Sequence, residues 1–174
     1  HGAEWLITKD YNFNNPIYSS FDIIRQLPVL SICVDTLVDP RITNKDFLHY
    51  SLFDLCNTIK DSPINVLTIP ILDDSDLNDD TARALFCEVI KPIGDAFPSI
   101  KFAFEAEMPP EKLNDIISLC DNFYVTYDTG NITSCGVNHN DFITFFGKKI
   151  INVHLKDRTY DRKTVPPMTG DTDF

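Results

Sequence analysis

Three side chains with metal-ligating chemistry lie late in three consecutive apolar segments. They are Glu105 in KFAFEAEM, Asp128 in FYVTYDTGN and His154 in IINVHLKD. In each segment the polar residue alternates with large apolar residues, so that on a strand it would lie on the opposite face from them. Because side chains alternate between the two faces of a strand, these groups point to one face of a common sheet. Carboxylate and imidazole groups suit Mn²⁺, Mg²⁺, Co²⁺ or Zn²⁺ as ligands, and the residue types do not choose among these metals.

Each of these residues also has a simpler structural interpretation. A glutamate late in a strand often forms a salt bridge at the rim, and a single histidine is often a hydrogen-bonded structural residue. Asp128 precedes Thr129 and Gly130, where an aspartate can make an Asx turn without any metal. The pattern by itself therefore leaves both a metal site and three separate structural roles open.

Four basic residues follow the histidine closely: Lys156, Arg158, Arg162 and Lys163. A basic patch in an otherwise acidic protein would bind an anionic group such as phosphate, whereas a solvated charged loop would have the same composition. Lys156 is the preferred candidate for binding an anion, because it is two residues from His154 and so would lie on the same face of an extended chain.

The elements that must position these groups alternate between strands and helices. Short β-branched and aromatic runs predict strands over 3–8, 29–35, 64–71, 100–105, 123–128 and 150–155. Helical periodicity predicts helices over 44–60, 80–93 and 138–146, another that opens at Pro109 and Pro110, and a weaker one over 17–26. Thr43 or Asn44 is the expected N-cap of the helix over 44–60.

This alternation predicts an α/β fold with a parallel sheet and helices outside it. In an α/β barrel the bulky strand residues pack against the outer helices, and the polar groups collect at the carboxyl ends of the strands. Neither G-x-G-x-x-G nor G-x-x-x-x-G-K-[ST] occurs, which disfavours a nucleotide-binding doubly wound fold.

Composition limits the function classes further. The 174 residues carry a formal net charge of −11 and contain no apolar run of membrane-spanning length. An acidic chain is a poor binder of phosphate backbones, so we expect neither a nucleic-acid nor a membrane partner. Five cysteines without a C-x-x-C pair fit a reducing, cytoplasmic location. Four of them are expected in the core: Cys33, Cys56, Cys87 and Cys120.

The segments FAFEAEM, YVTYDTGN, INVHLKDR and TVPPMTGDTDF resemble consecutive motifs of the sugar-phosphate isomerase and epimerase superfamily, which has xylose isomerase-like barrels. Within it, the sequence is most similar to the group of L-ribulose-5-phosphate 3-epimerases and hexulose-6-phosphate isomerases. The order and spacing agree over residues 101–174, and D-x-G-N followed by H-L-K-D is the most specific match. GAEWLI and SICVD resemble the second and third strands of that family.

The resemblance implies a divalent metal held by Glu105, Asp128 and His154, with a further glutamate as the fourth ligand. It implies that Glu105 also belongs to the pair of acids that moves a proton next to the carbonyl of a ketose. The metal would polarise that carbonyl and stabilise the enediolate. Glu107 is a competing ligand candidate, because the motif reads EAEMPP.

The resemblance also indicates how substrate is bound. Glu4 and Asn131 match positions near the substrate, and Lys156 and Arg158 are the cations we assign to it. The partner expected is therefore a small sugar or sugar phosphate, and we allow for a homodimer. The loop TVPPMTGDTDF keeps Gly170, Asp173 and Phe174 of the family pattern but has Met168 and Thr169 where the family has glycine and glutamate.

Together these observations predict an incomplete (β/α)₈ TIM barrel, with about six of the eight strands and the first and last ones absent. We expect residues 1–174 to be a single such domain, cut at both ends. The predicted function is a metal-dependent isomerase or epimerase of a ketose or ketose phosphate. One alternative is a non-catalytic family member that binds a sugar or a protein. A less favoured one is a barrel like the apurinic-site endonucleases, whose multi-zinc clusters need more histidines than the four present.

Overall fold

Six strands form one parallel sheet, in which each strand pairs with the next one along the chain. The structure is a computed structural model that describes residues 3–8 and 29–174. The strands are β1 (Ala3–Leu6), β2 (Val29–Cys33), β3 (Val66–Ile71), β4 (Lys101–Ala106), β5 (Phe123–Asp128) and β6 (Ile150–His154). Each strand begins and ends within two residues of the predicted run. The predicted parallel α/β sheet is therefore confirmed.

The helices that connect these strands are α1 (Lys45–Leu48), α2 (Asp54–Ile59), α3 (Asp80–Ala96), α4 (Pro110–Ile117), α5 (Thr129–Ser134) and α6 (His139–Phe146). A π-helical turn, His49–Phe53, joins α1 to α2, so the predicted helix over 44–60 exists with an irregular centre. Asn44 is its N-cap, because its side chain accepts the N–H of Phe47. The predicted helix over 17–26 lies outside the described residues. No helix in the described ranges is long and apolar enough to cross a membrane.

The hydrophobic core lies between the sheet and these helices. Phe102 and Phe104 of β4 and Phe123 of β5 are fully buried on the helix-facing side, with the rings of Phe104 and Phe123 5.0 Å apart. This is the side predicted for the bulky strand residues. Of the four cysteines expected in the core, Cys33 and Cys56 are buried, whereas Cys87 and Cys120 are only half-buried at its edge.

The outer face of β6 differs from the prediction. Val153 is 51% exposed and Leu155 is 77% exposed, although side chains on this face were expected to pack against outer helices. The reason is that β6 is an edge strand of the described sheet, and the described residues do not cover its outer face.

The sheet curls so that its two edge strands approach one another. Oε2 of Glu4 on β1 lies 2.6 Å from Nε2 of His154 on β6, although these strands are at opposite ends of the strand order. A flat sheet would separate them by five inter-strand spacings of about 4.8 Å each. The six strands therefore form a partial barrel, which confirms the prediction of an incomplete (β/α)₈ fold.

A short hairpin and a loop follow β6 at the carboxyl end of the sheet. The hairpin pairs β7 (Asp157–Arg158) with β8 (Thr164–Val165). The carboxylate of Asp157 accepts the backbone N–H groups of Thr169, Gly170 and Thr172 at 2.9, 2.8 and 3.2 Å. A Cβ on Gly170 would lie 2.4 Å from Oδ1 of Asp157, so this position requires glycine. One buried carboxylate thus organises the loop.

We expect Asp157→Asn to loosen this loop, because an amide cannot accept all three N–H groups. Burial opposes ionisation of Asp157, but these N–H donors outweigh it and hold its pKa below the ordinary value of 3.8. Its stabilisation is therefore present above about pH 4 and is lost as the pH falls through the lowered pKa. Hydrogen exchange of the amides of Thr169, Gly170 and Thr172 measures both effects. Asp161→Asn, an exposed change in the same hairpin, should leave their protection unaltered; equal loss in both variants would contradict the assignment.

Candidate metal centre

The carboxyl ends of β4, β5 and β6 bring Glu105, Asp128 and His154 together. One potential ligand atom from each lies within 4.8 Å of the other two. Glu105 and Asp128 are buried, and His154 is half-buried. The three side chains border a cavity of about 520 Å³ that is also lined by Glu4 and Lys156. The residues singled out by strand parity therefore do converge at one site.

Hydrogen bonds fix the two carboxylates. Oε1 of Glu105 accepts the side-chain amide of Asn131 at 2.7 Å, and its Oε2 lies 3.1 Å from Nδ1 of His154. Oδ1 of Asp128 accepts the backbone N–H of Asn131 at 2.8 Å. This contact makes Asp128 the N-cap of α5, a short helix that the sequence analysis did not predict. Asp128 therefore has a structural role without a metal, as an N-cap rather than as the Asx turn considered from its sequence, and this role uses a single oxygen.

The second oxygen of Asp128 is free to bind a cation. Oδ2 is buried and accepts no hydrogen bond from the described residues. Its charged neighbour is the ammonium group of Lys156, at 3.3 Å. A buried carboxylate oxygen without a hydrogen-bond donor is costly unless a positive group or a metal faces it. Two carboxylates and one imidazole around this oxygen are a suitable donor set for a divalent metal.

The electrostatics of the site reflect its concentrated negative charge. Burial and the neighbouring charge of Glu105 raise the pKa of Asp128. Burial also opposes ionisation of Glu105, but the hydrogen bond and charge of His154 outweigh it and lower the pKa of Glu105. Hydrogen bonds to Glu105 and Glu4 raise the pKa of His154 to about 10. The two carboxylates are therefore faced by the imidazole of His154 and the ammonium group of Lys156.

The four residues predicted to bind substrate fall into two pairs. Glu4 and Lys156 line the cavity. Asn131 and Arg158 are buried behind Glu105, where Nη1 of Arg158 donates to Oδ1 of Asn131 at 2.8 Å. Both of these residues face the protein rather than the cavity in this structure.

Glu107, the competing ligand candidate, belongs to this rear layer. Its carboxylate pairs with the guanidinium groups of Arg158 and Arg162 and lies outside the group of three potential ligands. Gly130 allows Arg158 to approach, because a Cβ there would lie 2.8 Å from Cγ of Arg158. Sequence reasoning missed this Glu107–Arg158–Asn131 layer, since nothing in the local pattern pairs residues so far apart in the chain.

Comparison with known proteins agrees with this geometry at the level of the fold. No family model matches the sequence, and no curated protein matches it. Among solved structures, a D-tagatose 3-epimerase-like protein superposes with a TM-score of 0.72 at 18% identity, covering 98% of this chain and 73% of that one. The IOLI protein, solved with a binding zinc atom, gives a TM-score of 0.62 at 14% identity and covers 99% and 81%.

A third structure is a xylose isomerase-like TIM barrel protein from Mycobacterium smegmatis in complex with magnesium. It gives a TM-score of 0.63 at 14% identity, covering 97% of this chain and 70% of that one. At such identities the likeness defines the fold alone: the six strands and their helices are arranged as in part of a TIM barrel.

Asn131 should be important for the stability of the site. We expect Asn131→Ala to lower the free energy of unfolding by about 1–3 kcal/mol, because it leaves the buried Oε1 of Glu105 without its donor and removes one acceptor of the Arg158 guanidinium. Urea unfolding of the metal-free protein measures this change. Ser134→Ala, which removes a hydroxyl from the same helix α5, is the matched control and should cost less than about 1 kcal/mol. A similar cost in the two variants would show that Asn131 does not connect the two layers.

Proposed function

We propose that this protein is a divalent-metal-dependent isomerase or epimerase that acts on a ketose or ketose phosphate. The observation that carries the proposal is the convergence of Glu105, Asp128 and His154 on one open cavity at the carboxyl end of the sheet. That end of a TIM barrel is where active sites form. The likeness to a D-tagatose 3-epimerase-like protein and to metal-containing barrels supports the same class of chemistry.

Glu105, Asp128 and His154 would hold the metal, which is Mn²⁺, Mg²⁺, Co²⁺ or Zn²⁺. When bound, such an ion acts as a Lewis acid that polarises the carbonyl of the ketose. Oδ2 of Asp128 supports this assignment, because it is a buried ligand atom that accepts no hydrogen bond from the described residues and faces the ammonium group of Lys156.

Glu105 is the residue we assign to proton transfer. A glutamate carboxylate is ionised at neutral pH and able to accept a proton from the carbon next to the carbonyl. Asn131 holds its Oε1 in position by donating its side-chain amide at 2.7 Å. Delivery of that proton to the former carbonyl carbon, with transfer of the hydroxyl proton between the two neighbouring oxygens, gives isomerisation. Delivery of a different proton by a second acid to the opposite face of the carbon that lost the first one gives epimerisation.

Lys156 is the cation we assign to substrate. Its ammonium group lines the cavity and contacts Asp128, which supports a role in binding a phosphate or hydroxyl of the sugar. Arg158, which is engaged with Glu107 and Asn131, contributes through Asn131 by keeping Glu105 in place.

Activity against a panel of ketoses and ketose phosphates, each with the four metals, tests the proposal. In D₂O the enzyme should incorporate deuterium at the carbon beside the carbonyl, because the abstracted proton exchanges with solvent. Glu105→Gln should reduce turnover by roughly 100-fold or more, as expected for loss of a general base. His154→Ala should reduce metal binding and turnover together. Asp161→Asn, outside the cavity, is the control.

Unchanged turnover in both site variants would contradict the proposed active site. Metal and sugar binding without turnover or deuterium incorporation would instead favour a non-catalytic sugar-binding protein.

The role of Lys156 has a separate test. Lys156→Ala should raise KM for a ketose phosphate by about 10- to 100-fold, the equivalent of a charged hydrogen bond, and should change KM for the unphosphorylated ketose much less. Assays at saturating metal remove any effect transmitted through Asp128. Lys163→Ala removes an exposed cation from the same basic cluster and should leave both values unchanged. An equal rise for the two substrates would contradict phosphate binding by Lys156.

A further inference from the structure

Glu4 on β1 is held by donors from two other strands. Its Oε1 accepts the hydroxyl of Thr68 on β3 at 3.0 Å and the side-chain amide of Asn152 on β6 at 2.9 Å. Its Oε2 lies 2.6 Å from Nε2 of His154. Both oxygens are therefore engaged, and the side chain is only 24% exposed although it borders the cavity. This is a fixed acceptor rather than a mobile cavity residue.

The imidazole of His154 is consequently held from both sides. Nε2 faces Glu4, and Nδ1 faces Glu105 at 3.1 Å. A ring whose Nε2–H is donated to a carboxylate presents Nδ1 as its free lone pair when the imidazole is neutral. In metal sites, carboxylates that accept the second N–H of a ligating histidine fix the tautomer and the ring orientation.

We propose that Glu4 is a positioning residue, which holds His154 through Nε2 and so directs Nδ1 to the metal. The inference rests on the metal centre of the proposed function and assigns Glu4 a different role from the substrate contact that the sequence predicted. Glu4 lies outside the group of three potential ligands. Its engaged oxygens and its contact with the ring both favour orientation of the ligand over direct coordination.

This arrangement also connects the two edge strands of the described sheet. Glu4 contributes from β1, and Asn152 and His154 contribute from β6, while Thr68 adds a contact from the middle of the sheet. Thr68 is itself held by the hydroxyl of Thr126 on β5, at 3.2 Å. The ring orientation of His154 is thus set by the curl of the sheet.

Zn²⁺ affinity, measured by competition with a chromophoric chelator, tests the inference without reference to activity. Glu4→Ala should bind Zn²⁺ about 10- to 100-fold more weakly than the unchanged protein, as is typical when such a partner is removed. Glu4→Gln should restore most of the affinity, because the amide oxygen still accepts the Nε2–H. Asp73→Asn removes a negative charge from the rim of the same cavity and controls for net charge.

Long-range ¹H–¹⁵N spectra of the Zn²⁺-loaded protein give a second readout. They should show the proton of His154 on Nε2 and the metal on Nδ1. Metal on Nε2 would overturn the inference, as would full affinity in Glu4→Ala or an equal loss in Glu4→Gln and Glu4→Ala, which would make the carboxylate itself a ligand. An absence of Zn²⁺ binding by the unchanged protein would instead overturn the proposed metal centre, and the inference with it.

Discussion

The contact of His154 with two carboxylates is the interaction on which the site depends. Glu105 reaches the ring from β4 and Glu4 reaches it from β1, so the imidazole can occupy this position only if the sheet curls enough to bring β1 near β6. A flatter sheet would leave Glu4 and Glu105 on different sides of the site and free the ring to rotate. The curvature of the sheet therefore helps to determine the position of the imidazole ring.

A second layer behind the cavity fixes the other face of the site. Arg158 pairs with Glu107 and donates to Asn131, and Asn131 in turn donates to Glu105. Removing one partner of a buried ion pair leaves an uncompensated charge, so this layer is sensitive to substitution even though it does not face the cavity. Its residues come from the segment directly after β4, from α5 and from β7, and they link the sheet to the hairpin that follows it.

Strand parity was sufficient to find Glu105, Asp128 and His154, because the two-residue period of a strand and the parallel order of the sheet place them at one edge. The same reasoning failed for the outer face of β6, where burial depends on what lies beside the strand rather than on its own pattern. It also could not assign the directions of Arg158 and Glu4. Arg158 turns away from the cavity because Glu107 is a buried anion, and Glu4 meets His154 because of curvature, a property of the whole sheet.

Charge balance explains why a strongly acidic protein keeps a cation at this position. Glu105 and Asp128 are buried close together, and like charges at such a distance need positive compensation. In the described structure His154 and Lys156 provide it. A divalent ion placed among the three ligands would take over that compensation, since it carries the same charge as the imidazolium and the ammonium group together. The ammonium of Lys156 would then be released from Asp128 and left facing the cavity, where the proposed anionic substrate would be its partner. Under the proposed function, metal binding and anion binding would be coupled because they share the carboxylate of Asp128.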